Sequence, residues 1–376
     1  MVKDANKTFV YGVSVGGNNF TDRTKESHRL KMNFENGLNV VLISPRRMGK
    51  TSLVKHVQEI VDKSLIQTVF VDIYDCRSEY DFYNKFAEAL LKQTANKMEL
   101  ALENIKRFLV RLAPKMSFSP DLTSEYSFSL GITPKEYSPE EILALPELLA
   151  KQIGKHIVVC IDEFQQIGEW PDSLYVQKRM RGVWQHQQHV SYCLFGSRQH
   201  MMTNIFQNKR MPFYQFGEPN YLQPIPTADW IPFIQDKFKE KNLTISEIYV
   251  TRICEIVRNQ SSYVQQLAWN VMLNTDVEVT ENVIKQGVSD LLDQCTPLFM
   301  EQLNSLTTYQ MNFLRAINDG QHDQWTSQEV MGKYNLGTKS NVTKMQKLLL
   351  EKDFIERRED GLYLSDPVME LWLKQH

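Results

Sequence analysis

Residues Asn39–Val54 read NVVLISPRRMGKTSLV, and the rest of the chain is best interpreted from this stretch. The apolar, β-branched run Val40–Ile43 has the length and composition of a buried strand, and the residues after Lys50 continue at helical spacing. A loop that ends in Gly49, Lys50 and Thr51 joins the two. The stretch therefore predicts a strand, a phosphate-binding loop and a helix, in that order.

Each part of such a loop has a chemical task. Backbone N–H groups and the positive end of the following helix bind a β-phosphate, and the Lys50 ammonium reaches the β- and γ-phosphates. The Thr51 hydroxyl is expected to coordinate Mg²⁺. The predicted cofactors are thus ATP and Mg²⁺, and the predicted nucleotide-binding residues of the loop are Ser44, Pro45, Arg46, Arg47, Met48, Gly49, Lys50, Thr51 and Ser52.

The loop departs from the usual pattern, G-x-x-x-x-G-K-[ST], at its first position. Ser44 stands where the pattern has glycine. Because this position lies at the exit of the strand, a small residue can replace glycine if the turn does not need a positive φ. A chance Gly-Lys-Thr at the start of a helix is the alternative interpretation.

Composition sets limits on the class of protein. The chain has 376 residues, 42% of them hydrophobic and 23% charged, which is typical of a globular protein with two or three domains. The net charge of −2 indicates no global affinity for nucleic acid or membranes. The cysteines are widely spaced and include no C-x-x-C pair, which argues against zinc and favours reduced thiols: Cys76, Cys160, Cys193, Cys254 and Cys295. No run approaches the ~20 apolar residues of a membrane span, and the N-terminus has no apolar signal region, so a cytoplasmic location is predicted.

A second motif follows in His156–Phe164, which reads HIVVCIDEF. Five apolar residues that end in two acids predict a central parallel strand whose carboxyl end faces a ligand crevice. Asp162 would hold Mg²⁺, and Glu163 would orient and deprotonate the attacking water. Buried strands also end in Asp for purely structural reasons, and that alternative stays open.

Another strand, Ser191–Gly196, precedes Ser197 and Arg198. In nucleotide hydrolases that carry an extra strand between the two motif strands, a polar residue at this tip contacts the γ-phosphate or the water. Ser197 is the candidate for that role. Arg198 would either sense phosphate or pair with a surface acid.

Further patterns outline the remaining chain. A helix is predicted from Thr24 to Phe34, and the N-terminal segment that precedes it would lie against adenine or simply cap a surface helix. A strand is predicted over Thr68–Tyr74 and a helix from Tyr80 to about Arg111. Alternating residues predict a projecting hairpin over about 115–132, which would contact a partner or cover the edge of the sheet. A helix is expected from Ser173 to about His189.

Prolines between residues 212 and 226 mark a boundary, because proline interrupts helices and inner strands. Helical patterns then fill residues 227–292 and predict a lid. The predicted domains are an ATPase core over 1–225, a helical lid over 226–295 and a last domain over 296–376.

The last domain is predicted to be a winged helix, because three helical patterns precede a hairpin signal at Asp360-Gly361. Seven Lys/Arg and seven Asp/Glu between Thr338 and His376 give this part no net charge, whereas DNA binding normally needs a basic surface. A protein contact or internal packing is therefore favoured over DNA. If DNA binds, the third helix would present Lys339, Ser340, Asn341, Thr343, Lys344 and Lys347 to the major groove.

With these motifs placed, the whole chain resembles the archaeal-type P-loop ATPases, a branch of the AAA+ and STAND-related nucleotidases. The stretches that carry the resemblance run in the family's order: Phe20–Arg23, Ser44–Thr51, Cys160–Phe164, Gly196–Met202, Tyr263–Ala268 and Asp366–Leu373. The resemblance implies an α/β ATPase core with a parallel sheet, a helical lid and a C-terminal winged helix. It implies catalytic roles for Glu163, Lys50 and Ser197, metal binding by Thr51 and Asp162, and nucleotide contacts from Arg23 and Tyr263.

Two arginines that many relatives use are not evident. Tyr263 occupies the region of the lid arginine, and no arginine ends the helix before the Ser197 strand, since Arg179 and Arg181 lie near the predicted start of that helix. An arginine donated by a neighbour contributes several orders of magnitude to turnover, so slow hydrolysis is expected and an obligate hexameric motor is not.

Three functions follow from these residues. The first is a slow, Mg²⁺-dependent ATPase that acts as a switch and reports its nucleotide state to a protein partner through the winged helix. The second is a nucleotide-gated interaction protein that does not hydrolyse ATP. The third is a DNA-dependent ATPase of a replication, repair, mobile-element or defence system. The oligomeric state and the partner are not determined by the sequence.

Overall fold

The computed structural model describes residues 8–94 and 138–375. The predicted hairpin over 115–132 and the end of the helix predicted to reach Arg111 lie outside these residues. The described chain forms two compact units. One contains Thr24–Ser44 and Lys50–Leu222, and the other contains the chain up to Arg23, Pro45–Gly49 and the chain from Gln223 onward.

The first unit is built on a five-stranded parallel sheet in the order β2-β3-β4-β1-β5. β4 lies between the two motif strands β3 and β1, so the extra strand predicted from the sequence is confirmed. Every residue of β1 and β4 is buried, as their continuous apolar runs require. The strands are β1 (Val40–Ile43), β2 (Ile66–Asp72), β3 (His156–Asp162), β4 (Val190–Gly196) and β5 (Glu218–Tyr221).

Strand β5 was not predicted, because the prolines around it indicate a boundary. Pro219 lies inside β5, which pairs with β1 alone at the edge of the sheet. Proline is tolerated on an edge strand because its missing N–H removes no ladder hydrogen bond on the open side. The proline-rich region thus contains an edge strand, and the predicted end of the core at residue 225 stays a prediction.

Six α-helices in the described part of this unit accompany the sheet. α2 begins at Lys50, directly after the loop, as predicted. α5 ends at Trp184 rather than near His189, which places Arg181 in its last turn. The helices are α1 (Thr24–Glu35), α2 (Lys50–Ile60), α3 (Glu79–Thr94), α4 (Pro139–Ile153), α5 (Ser173–Trp184) and α6 (Gln199–Gln207).

The second unit begins with four helices where the lid was predicted. The last of them is longer than its pattern indicated, because Pro297 does not interrupt it. It therefore runs through the predicted domain boundary at 295/296, and the three-domain division stays a prediction. The helices are α7 (Thr227–Lys239), α8 (Glu247–Ile256), α9 (Ser261–Leu273) and α10 (Glu281–Asn304).

The remaining elements of this unit form the winged helix that the sequence predicts. β6 and β7 pair antiparallel, with Arg358 opposite Gly361 at the turn. Gly361 has φ +154°, and a Cβ there would lie 2.4 Å from the His322 carbonyl oxygen, so the turn requires glycine. The elements are α11 (Thr308–Asn318), α12 (Gln328–Lys333), α13 (Lys339–Glu351), β6 (Ile355–Arg358), β7 (Gly361–Leu364) and α14 (Pro367–Leu373).

Each unit has its own hydrophobic core. Aromatic rings around Trp184, Phe164 and Phe213 fill one side of the first unit's sheet. In the second unit Phe9 packs against Phe233 and Phe238 of α7, which ties the N-terminal segment to the lid helices. In the parts of the chain that the structure describes, no helix combines the length and apolarity that a membrane crossing needs.

Candidate functional site

The lysine of the phosphate loop is held in place by its own turn. Lys50 is buried, and its Nζ donates to the Ser44 carbonyl oxygen at 2.9 Å and to the Ser44 hydroxyl at 3.2 Å. Ser44 does not adopt a positive φ, so serine fits this position without backbone strain. Its hydroxyl adds an acceptor that glycine would lack. The departure at Ser44 is therefore compatible with a phosphate-binding turn.

The two predicted metal ligands are in direct contact. The Thr51 hydroxyl donates to Asp162 Oδ2 at 2.7 Å, and the backbone N–H of Glu163 donates to Asp162 Oδ1 at 2.8 Å. Thr51 lies in the first turn of α2 and Asp162 ends β3, so the contact depends on the parallel sheet bringing the ends of separate elements together.

Glu163 is held by two polar side chains. Its Oε2 accepts a hydrogen bond from the Ser197 hydroxyl at 3.0 Å and another from the Gln165 amide. Glu163 also has a left-handed backbone, with φ +55°, which ends the strand and begins the short 3₁₀-helix Phe164–Gly168. The sequence predicted Glu163 and Ser197 but missed Gln165, whose only signal was its position two residues after the acid.

A third carboxylate lies at the same edge of the sheet. Asp72 ends β2 and pairs in register with Asp162. The pKa of Asp162 is raised to about 6, chiefly by burial and to a smaller extent by the charges of Glu163 and Asp72, while hydrogen bonds from the Thr51 hydroxyl and the Glu163 backbone N–H oppose the shift. Asp72 was not predicted to belong to the site, because one acid at the end of a strand is a common feature.

The Thr51 and Asp162 oxygens would complete a magnesium site only together with oxygens from a bound ligand and water. In residues 8–94 and 138–375, no group of three or more His, Cys, Asp or Glu side chains is arranged to hold a metal ion. Mg²⁺ in phosphate sites is usually bound through one or two carboxylates together with phosphate oxygens and water. The Thr51 hydroxyl and the buried Asp162 carboxylate match this donor set, and a cation would favour the ionised carboxylate that burial disfavours.

The loop residues Pro45–Gly49 belong to the second unit. The Arg23 guanidinium, which is buried, donates to the Met48 carbonyl oxygen at 2.8 Å and to the Gln223 carbonyl oxygen at 2.7 Å. Gly49 has φ +81°, a conformation that glycine adopts without strain. Arg23 thus contacts the backbone of the loop, and its predicted nucleotide contact stays a prediction.

Tyr263, predicted to contact nucleotide, is buried in the second unit. Its hydroxyl donates to Asp366 Oδ2 at 2.7 Å, and the Arg47 guanidinium lies 4.1 Å from the centre of its ring. Asp366 also accepts from Arg47 Nη1 at 2.9 Å. Asp366 was part of a motif in the sequence analysis but was given no role there.

The remaining predicted loop residues differ in exposure. Arg46 is exposed, Pro45 is half-buried, and Met48 and Ser52 are buried. These positions agree with a loop that offers its backbone to a ligand, and the nucleotide contacts of these residues stay a prediction.

The two arginines of α5 are engaged within the first unit. Arg179 pairs with Glu79 at 2.8 Å and with Glu140 at 3.2 Å. Arg181 is in the last turn of α5, so the expectation that both arginines lie near the start of the helix was wrong for this residue. Its guanidinium packs 4.8 Å from the centre of the Phe216 ring.

Comparisons with known proteins agree with the winged helix. Residues 297–375 match the family model described as a probable winged helix domain. None of the curated proteins matches the chain.

Solved structures match nearly the whole chain. The Walker-type ATPase PABY2304 of Pyrococcus abyssi has 16% sequence identity and a TM-score of 0.70, over 98% of this chain and 100% of that one. The ORC2 protein of Aeropyrum pernix, solved as ADPNP-ADP complexes, has 12% identity and a TM-score of 0.59, over 98% and 97% of the two chains. At these identities the likeness shows the fold. The resemblance suggested by the motifs is therefore confirmed at this level: the chain has the fold of the Walker-type ATPases and carries a C-terminal winged-helix domain.

Proposed function

We propose that the protein binds ATP with Mg²⁺, hydrolyses it slowly and uses the nucleotide as a switch. The observation that carries this proposal is the 2.7 Å contact between the Thr51 hydroxyl and the Asp162 carboxylate. It joins the last residue of the Gly-Lys-Thr motif to the first residue of the acid pair, which are separated by more than a hundred residues of sequence. Such pairing is expected of a magnesium nucleotide site.

The residues have distinct tasks in this proposal. Lys50 would exchange its contacts with Ser44 for phosphate oxygens. Glu163 would take a proton from the attacking water, and Ser197 would hold the Glu163 carboxylate in place. Mg²⁺, when bound, supplies neutralisation of charge on the β- and γ-phosphates.

We propose slow ATP hydrolysis because the two arginines of α5 already make contacts within the first unit. Arg179 and Arg181 are committed to contacts inside their own unit. Without an arginine that stabilises charge in the transition state, P-loop hydrolases lose several orders of magnitude in rate.

The proposed switch rests on the composition of the second unit, in which the loop residues Pro45–Gly49 group with the lid helices and the winged helix. A change in the loop on ATP binding would therefore be communicated to the winged helix, which we propose as the site of a protein partner.

The test is steady-state phosphate release by the full chain. Glu163→Gln should abolish release and retain ATP binding, and Lys50→Ala should abolish binding. Glu59→Gln, on an exposed position of α2, is the matched control and should leave both unchanged. Unaltered release by Glu163→Gln would remove Glu163 from its role. Tight ATP binding without measurable turnover in the wild type would instead favour the nucleotide-gated module that does not hydrolyse ATP.

DNA binding is a second candidate, favoured by the exposed face of α13. Lys339, Lys344 and Lys347 are all exposed there. If this face binds DNA, Lys344→Ala with Lys347→Ala should weaken binding and lower its salt dependence. Absent or salt-independent binding would exclude this function.

A further inference from the structure

Arg47 contacts other parts of the second unit through both its side chain and its backbone. Its Nη1 lies 2.9 Å from Asp366 Oδ2, and its guanidinium lies 4.1 Å from the centre of the Tyr263 ring. The Arg47 carbonyl oxygen accepts from the Ser262 backbone N–H at 3.2 Å. Its φ of +66° is unusual for a residue with a side chain. The phosphate loop is therefore fixed at this point by α9 and by the winged helix.

Asp366 is built to hold a positive charge. It caps α14, with Oδ1 accepting from the backbone N–H groups of Val368 at 2.9 Å and Met369 at 3.2 Å. Oδ2 is thereby left for Arg47 and for the Tyr263 hydroxyl. One oxygen orders the helix and the other binds the loop, so the carboxylate connects the winged helix to the phosphate loop through a single side chain.

The same guanidinium suits a phosphate. Arginine binds carboxylates and phosphates with the same planar donors, and a triphosphate with its higher charge competes well for them. In this arrangement the positive charge of Arg47 is neutralised by Asp366 and is not available to a nucleotide.

We propose that Asp366 is an autoinhibitory counterion: it holds Arg47 in the absence of nucleotide, and ATP binding requires Arg47 to leave Asp366 for the phosphates. This inference rests on the proposed function, since it needs a nucleotide at the loop. The proposed switch then depends on one pair of residues, Arg47 of the phosphate loop and Asp366 of the winged helix.

Another ion pair in the same unit offers a matched control. Arg258 of the α8–α9 connection pairs with Glu370 of α14 and donates to the Leu364 carbonyl oxygen at 3.1 Å. The side chains of this pair are 32% and 23% exposed, compared with 31% and 26% for Arg47 and Asp366. It links the winged helix to the α8–α9 connection, whereas the first pair links the winged helix to the phosphate loop, so it includes no loop residue.

The test is the dissociation constant of Mg-ATP for the full chain, measured by calorimetry. Asp366→Asn keeps a good helix cap and removes the charge, and we expect it to tighten ATP binding about tenfold, or about 1.4 kcal/mol. Glu370→Gln should leave the dissociation constant within twofold of the wild type. Asp366→Ser, which also keeps a capping oxygen, serves if the Asn variant does not fold.

A double-mutant cycle assigns the effect to Arg47. In an Arg47→Gln background, Asp366→Asn should no longer change ATP affinity. Equal or weaker binding by both Asp366 variants, or the same gain in the Arg47→Gln background, would overturn the inference. These outcomes leave the proposed function standing as long as the wild type binds ATP and Lys50→Ala does not. A wild type that binds no better than Lys50→Ala would refute the proposed function itself.

Discussion

At the scale of single residues, the buried acid at the end of β3 links the site to stability. Asp162 is 7% exposed, and burial raises the pKa of its carboxyl to about 6. In the unfolded chain the same group ionises near its ordinary pKa of about 3.9. Between pH 4 and 6 the folded state therefore binds more protons than the unfolded state, and stability falls as the pH rises through this window.

Replacing Asp162 should show how much the buried charge of its carboxylate lowers the stability of the fold. Without Mg²⁺ and nucleotide, Asp162→Asn should raise the thermal midpoint at pH 7.5 by about 2 to 4 °C, because it removes a buried charge, while its amide oxygen can still accept from the Glu163 backbone N–H and its amide N–H can donate to the Thr51 hydroxyl. At pH 4, where the carboxyl is mostly protonated in the folded state, the gain should shrink. The measurement is calorimetry in EDTA at the two pH values.

The exposed Asp276 provides the control, and Asp276→Asn should leave the midpoint nearly unchanged at both pH values. A lower midpoint for Asp162→Asn at pH 7.5 would mean that the ionised carboxylate stabilises the fold without a cation.

At the scale of elements, the end of β4 leaves space for the side chain of Gln165, which donates a hydrogen bond to Glu163. A Cβ on Gly196 would lie 1.8 Å from Gln165 Oε1, so any side chain at this position displaces the Gln165 amide. Gln165 is buried, and it donates to Glu163 together with Ser197. Gly196 therefore leaves space for the side chain that positions Glu163. It is not needed there for a backbone conformation that favours glycine.

Gly196→Ala tests this arrangement. We expect a loss of stability of about 1 to 2 kcal/mol from overpacking, and a fall in kcat without a matching change in ATP affinity, because Glu163 loses one of its two hydrogen-bond donors. Gly182→Ala is the matched control: nothing lies within 4 Å of a Cβ built there, and alanine in the last turn of α5 should be neutral or slightly stabilising. An unchanged kcat in Gly196→Ala would show that Gln165 does not position Glu163.

At the scale of the whole molecule, the two compact units are not separated by a single boundary in the sequence. It passes between the two units after Arg23, Ser44, Gly49 and Leu222. Phe9, which precedes Leu222 in sequence, is buried in the hydrophobic cluster of the unit formed mainly by later residues. A chain that ends at the predicted core boundary would expose this side chain.

A chain truncated after residue 225 should therefore be recovered mainly as aggregates and should bind a hydrophobic dye, whereas the full chain should not. In the full chain, Phe9→Ala should lower the free energy of unfolding by about 3 kcal/mol, because it leaves a cavity against Phe233 and Phe238. Soluble yield and sedimentation measure the first effect, and thermal unfolding measures the second. A monomeric, folded truncated chain would restore the simple domain boundary near residue 225.

The sequence by itself determined the elements whose signals are local. The strand, loop and helix around Lys50, the acid pair after β3 and the hairpin turn at Gly361 each depend on periodicity or on a backbone need that few residues satisfy. These features could be placed within a few residues, since neighbours along the chain decide them.

Only the tertiary structure decided which distant residues meet. β5 forms although it contains Pro219, because an open sheet edge accepts it, and α10 continues through Pro297. Asp72 and Asp366 acquire their partners only when separate elements pack together: Asp72 beside Asp162, and Asp366 against Arg47 and Tyr263. Likewise, only the packing of β4 beside β3 brings Ser197 to the same Glu163 carboxylate that Gln165 contacts. Contacts between residues far apart in sequence leave no periodic signal, so these roles could not be predicted from the chain alone.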